Sequence, residues 1–148
     1  MSRVVVLDSG PLGLLVHPAR GVEAMLWVGR LLDGGLEMAI PEIVDYELRR
    51  ELLRLGHDAA IDRLDRLGQA WTYAAVTTQV LLRAAQLWAD ARKVGRPTAD
   101  DRALDIDAIL AATALELQSA GDEVVVATTN VGHIGRFVAA SAWTDIRP

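Results

Sequence analysis

The chain is expected to fold as an α/β protein with a central, mainly parallel sheet of 4–5 strands between two layers of helices. Two observations predict this. The segments Val4-Val5-Val6-Leu7 and Val124-Val125-Val126-Ala127 are apolar without alternation, as strands covered on both faces must be. Between them lie stripes of helical period that stop at glycines, so strands alternate with helices along the chain. With 148 residues, 51% of them hydrophobic, there is ample apolar surface for one core, and residues 1–148 are read as a single domain.

Each element follows from local chemistry. Residues 3–7 form the first strand, ended by Asp8 and the breakers Ser9-Gly10-Pro11. Residues 11–16 and 22–33 read as helices, the second closed by Gly34-Gly35, and 36–40 as a second strand. Pro41 opens a helix whose stripe Val44, Leu48, Leu52, Leu55 stops at Gly56, a glycine suited to the left-handed cap. Residues 58–67 read as an amphipathic helix ending at Gly68, and 70–75 as a third strand. A long helix covers 77–94, with Val80, Leu81, Ala84, Leu87, Trp88 and Ala91 at helical spacing and Gly95 beyond it. Residues 96–104, with Pro97 and a charged run, read as an exposed loop; Asp105 then caps a helix reaching Ala120. Residues 123–127 are the fourth strand and 143–146 a short edge strand.

Composition narrows the chemistry. Cysteine is absent, so disulfides, thiolate metal sites and cysteine nucleophiles are excluded, and any metal must be held by oxygen or imidazole. No apolar run approaches the roughly 18 residues of a spanning helix, and Met1-Ser2-Arg3 leads straight into a strand, so a cytoplasmic protein without membrane contact is expected. A net charge of -5 argues against broad electrostatic binding of nucleic acid but leaves room for a local groove. Lys93 is the single lysine among 15 cationic side chains, and arginine is the better bidentate phosphate ligand. Two clusters stand out: Arg49, Arg50 and Arg54, and Arg92, Lys93, Arg96 and Arg102. Each is equally well read as a solvated face with intrahelical ion pairs.

In an open parallel sheet the ligand crevice lies at the carboxyl ends of the strands. Asp8 and Thr128-Thr129-Asn130 both follow apolar strands and reach that edge. Glu47 lies about 60° to 100° from the core positions of its helix at 100° per residue, at the border of the buried face. Asp107 has a similar border position, in what the sequence makes the first helical turn, where the helix dipole favours a carboxylate. Gathering such carboxylates raises the pKa of at least one of them, and Mg²⁺ or Mn²⁺, which prefer oxygen ligands, would relieve the repulsion.

Val-Leu-Asp8-Ser9, Pro41-x-x-Val44-x-x-Glu47-Leu48, Asp107-Ala-Ile-Leu-Ala-Ala-Thr-Ala-Leu and Ala127-Thr128-Thr129-Asn130-Val131, in this order, resemble a PIN domain, similar to the VapC-type toxins of toxin-antitoxin pairs. The resemblance implies a three-layer α/β/α nuclease domain that hydrolyses single-stranded RNA with Mg²⁺ or Mn²⁺, often as a homodimer and with a small antitoxin as partner. It makes Asp8, Glu47 and Asp107 metal ligands. Asn130 stands where a fourth acid is common, and there it would hold a water or the substrate. Ser9, Asp105, Thr128, His133 and Arg50 are further candidates for placing a carboxylate, a water or a phosphate, although Asp105 reads first as the helix cap and His133 as a surface or loop residue, and Ser9, Thr128 and Arg50 are also readable as turn, cap or surface residues. His17 and His57 read as surface residues, and the four Trp residues as core or dimer contacts.

Two other classes fit parts of the sequence. A non-catalytic RNA- or partner-binding module is compatible with Asn130 and the acidic charge. A haloacid-dehalogenase-like phosphatase would also place an Asp after the first strand, but its second Asp, two residues on, is here Gly10, and no lysine follows Lys93.

Overall fold

The structure, a computed structural model, describes residues 2–94 and 101–148, and the side chains of 101–103 are left out of the description. Five parallel strands, β1 (Arg3–Leu7), β2 (Glu37–Pro41), β3 (Thr72–Ala74), β4 (Glu123–Thr128) and β5 (Ala140–Ala142), stand in the order β3-β2-β1-β4-β5. Helices flank the sheet: α1 (Ser9–Val16), α2 (Gly21–Asp33), α3 (Glu42–Leu55), α4 (Asp58–Ala70), α5 (Thr78–Lys93), α6 (Asp101–Ser119) and the short α7 (Val131–Ile134). Val4 to Leu7 are all buried, as the unbroken apolar run requires of a central strand covered on both faces. The expected α/β architecture is thus present, with all strand pairs parallel.

The main core joins β1, β2 and β4 to the inner faces of α1, α2, α3 and α6. Trp27 and Trp143 meet edge to face at 5.3 Å, and the Trp27 indole donates to the Ile146 carbonyl at 3.0 Å. A smaller cluster of Val80, Ala84, Ala108 and Ala112, with Trp88 against it, joins α5 to α6 through small residues that let the helices approach closely. Trp71 also packs on the main core, so all four Trp residues serve packing.

Several boundaries differ from expectation. The helix expected from Asp105 begins at Asp101, so Asp105 is an exposed residue inside α6, not its cap. Leu104 is 2% exposed, and burying it supports the extra turn. Residues 101–104 of the expected loop are therefore helix, while 95–100, including Gly95, Arg96 and Pro97, lie outside the described residues, as does the Arg102 side chain. Helix α4 runs through Gly68 to Ala70 and shortens β3 to Thr72–Ala74. Residues 143–145 form a 3-10 turn instead of a strand, because Trp143 folds onto Trp27; the edge strand is Ala140–Ala142, whose small residues carry little strand propensity.

Candidate metal centre

Strand order reverses between β1 and β4, the place where an open parallel sheet leaves a crevice at its carboxyl edge. Leu7 pairs with Ala127 there, and the Asp8 amide donates to the Ala127 carbonyl at 2.9 Å, so Asp8 and Thr128 emerge side by side. One oxygen of Asp8 caps α1 by accepting from the Ser9 amide at 2.7 Å, and the other accepts from the Thr128 hydroxyl at 2.7 Å. Cap formation starts α1 at Ser9, two residues before the expected start, with Pro11 in the first turn where a missing N–H leaves no gap. Thr128 is fully buried and its hydroxyl also accepts from the Asn130 amide at 3.0 Å, tying the turn after β4 to the Asp8 carboxylate. Gly10 makes this approach feasible: a Cβ there would come within 2.5 Å of the Thr129 hydroxyl and 3.1 Å of its Cβ.

Asp107 sits in the second turn of α6, past the reach of the helix dipole, so the expected stabilisation by the first turn does not apply. Its Oδ2 is buried without a hydrogen-bond partner. Burial pushes its carboxyl up to about 6 from 3.8; the charge of Asp8 and, less strongly, that of Glu47 add to the rise, while His133 and Arg136 oppose it. Asp8 from β1, Glu47 from α3 and Asp107 from α6 therefore act on one another, although they come from distant parts of the chain.

This donor set suits a hard cation: three carboxylates of one sign, one of them with a bare buried oxygen. Among the described residues no three acidic or imidazole groups stand close enough to hold a metal as they are placed, so binding would have to draw the carboxylates inward.

The other predicted residues lie nearby or apart. Ser9 contributes its amide. Asn130 precedes α7 with an exposed side chain that makes no cap. His133, on α7, faces Asp107 electrostatically. Arg50 is exposed and lies over the Tyr46 ring at 5.2 Å. His17 accepts from the Ala19 and Arg20 amides, closing the turn after α1. In the arginine cluster of α3, Arg49 bridges Asp45 and Asp65 and Arg54 pairs with Glu51, which favours the reading as structural ion pairs.

Sequence reasoning missed two residues. Asp45, 5% exposed, accepts twice from Arg49, at 2.7 and 3.2 Å, and Arg49 reaches Asp65 on α4 at 2.7 Å. Those two carboxylates raise the Arg49 pKa further, and Tyr73 beside them is pushed up to about 12, by burial first and then by Asp45 and Glu42. With the Glu42 carboxylate accepting from the Val76 amide at 3.0 Å, this network locks α3, the bearer of Glu47, onto its neighbours. The i,i+4 spacing of Asp45 and Arg49 was the available signal. The second missed residue, Arg136, had none beyond its closeness in sequence to Asn130.

The chain belongs to the PIN domain family, whose model matches residues 5–131. Its fold is similar to that of VapBC2 from Rickettsia felis bound to a promoter DNA fragment (TM-score 0.74, 14% identity, covering 95% of this chain and 98% of that one). VapBC-1 from nontypeable Haemophilus influenzae is similar at TM-score 0.70 and 19% identity, covering 96% and 99%. VapC20 from Mycobacterium tuberculosis, a toxin that cleaves the sarcin-ricin loop, is similar at TM-score 0.61 and 18% identity, covering 97% and 99%. No curated protein matches this chain in sequence.

Proposed function

We propose that residues 1–148 form one nuclease domain, a Mg²⁺- or Mn²⁺-dependent endoribonuclease that hydrolyses single-stranded RNA as the toxin of a toxin-antitoxin pair. The observation that carries this reading is the buried, unpartnered oxygen of Asp107 beside Asp8 and Glu47 at the carboxyl edge of a PIN domain. Asp8, Glu47 and Asp107 would hold the cation, which when bound supplies Lewis acidity toward the phosphodiester and acidifies water. Thr128 and the Ser9 amide fix the Asp8 carboxylate so that both its oxygens keep one orientation. Glu47 binds the cation or orients water, and the exposed Asn130 amide holds water or substrate at the rim.

The partners belong to the same reading. An exposed apolar stripe on α2, Val22, Met25 and Leu26, borders a cavity of about 540 Å³ that also receives Arg63 and Arg66 from α4, a surface fit for an antitoxin segment. Exposed Leu81 and Leu82 on α5 and Tyr46 and Leu53 on α3 offer apolar surface for a homodimer. No described helix is long and apolar enough to cross a membrane, in keeping with a cytoplasmic site of action.

The test is cleavage of single-stranded RNA by purified protein with Mn²⁺, stopped by EDTA. A second reading, a non-catalytic RNA- or partner-binding module, is favoured by the neutral Asn130 at the rim. Purified protein that binds RNA but leaves it intact at every Mn²⁺ concentration would establish it.

A further inference from the structure

An RNA phosphate must approach a group of carboxylates in a chain of net charge -5, which requires local positive charge. Arg136 supplies it, and the His133 imidazole stands with it; both act on Asp107. Both line a groove of about 440 Å³ between α5 and the segment after β4. Phe137 shares their wall, and Leu87, Asp90 and Val94 belong to the other. The Arg136 guanidinium lies over the Phe137 ring at 4.8 Å, which holds its plane in one setting. A guanidinium held so can stack a base on its face and donate to phosphate oxygens from its edge.

We propose that this groove seats the nucleotide next to the cleaved bond, with Arg136 and His133 taking its phosphate and the Arg136–Phe137 pair stacking its base. The assignment rests on the nuclease reading and adds a substrate path to it. Asp90, which accepts from the Gln86 amide at 2.9 Å, turns the phosphate toward the Arg136 wall and leaves Leu87 and Val94 to face the sugar and base.

The experiment measures binding of a short fluorescein-labelled, mixed-sequence single-stranded RNA to the full chain in EDTA, which withholds the cation that cleavage needs. Arg136→Gln is expected to weaken binding about tenfold and to lower the slope of log affinity against log salt by about 1. Arg136→Lys restores the slope but only part of the affinity. Asp90→Asn tightens binding about twofold, the opposite sign, which general loss of structure would not produce. Cleavage of the same RNA with Mn²⁺ is followed in parallel. Wild-type protein that cuts RNA, with an Arg136→Gln variant of the same affinity, salt slope and KM, overturns the groove assignment alone. Binding that depends on Arg136 without any cleavage overturns the nuclease reading and keeps the groove as an RNA seat.

Discussion

Asp45 and Asp107 are both drawn out of water, and they are met there in opposite ways. Asp45 accepts two hydrogen bonds from Arg49, which continues to Asp65, so its charge is matched within a network that joins α3 to α4. Asp107 keeps a buried oxygen without a partner and feels two other carboxylates. A buried charge with a dedicated cation holds a fold together, whereas one left with like charges weakens the apo protein and is understandable only if something else neutralises it in use.

The largest effect expected is on catalysis. Replacing Asp107 with Asn should reduce Mn²⁺-dependent RNA cleavage at least about a hundredfold, as removal of a ligand to the catalytic cation does. Its effect on stability has the opposite sign to its effect on activity. Asp107 titrates at about 6 in the folded chain against 3.8 ordinarily, so the folded state holds the proton more tightly. Stability relative to the Asn variant is then fully present below about pH 4 and is lost as the pH rises through about 6. Urea melts at pH 4 and pH 7 without metal should show the Asn variant gaining on wild type at the higher pH. A variant equally weakened at both would make Asp107 an ordinary helix residue.

Asp45→Ala sharpens the contrast from the other side. It should destabilise the protein at pH 7 by about 1.5–3 kcal/mol, the range for losing hydrogen bonds to a charged group, because Arg49 is left with Asp65 alone. Thermal or urea unfolding measures this, and a loss below about 0.5 kcal/mol would show that the network is only a surface feature.

The contrast also explains what could be read from sequence. Continuous apolar strands such as Val4 to Leu7 announce a parallel sheet because burial on both faces leaves no room for polar alternation. Strand ends in such a sheet share one edge, which is why Asp8 and Thr128 could be placed side by side, and the helical period is why Glu47 and Asp107 could be placed at partly buried borders. What could not be read depends on tertiary packing. The start of α6 at Asp101 depends on the burial of Leu104, the 3-10 turn at 143–145 on the Trp27 ring, and the role of Asp45 on Asp65 and Tyr73, which come from other elements.

A smaller effect is expected at Gly10. An added methyl meets the Thr129 side chain, so Gly10→Ala should push the turn after β4 away from Asp8 at about 1–3 kcal/mol in stability. Cleavage should fall with it, while Ala substituted at Gly29, where a Cβ meets nothing within 4 Å, leaves cleavage unchanged. Equal activities for the two variants would separate Thr129 from the site.

The smallest effect concerns the neutral rim. Asn130→Asp adds a fourth carboxylate and should lower the Mn²⁺ concentration for half-maximal cleavage a few-fold, by about 0.5–1 kcal/mol in binding at an exposed position. Superimposable metal titrations of the two proteins would put residue 130 outside the metal shell.

The central claim, that Asp107 is held unneutralised for a cation, is most directly tested by carbon-13 carboxyl NMR, with the Asp107 signal assigned through the Asn variant. Titrated without metal, Asp107 should show a midpoint near 6, and added Mg²⁺ should move that midpoint down by competing with the proton. A midpoint near 6 that saturating Mg²⁺ leaves in place would contradict the account, because the half-buried carboxylate would then have no cation to meet.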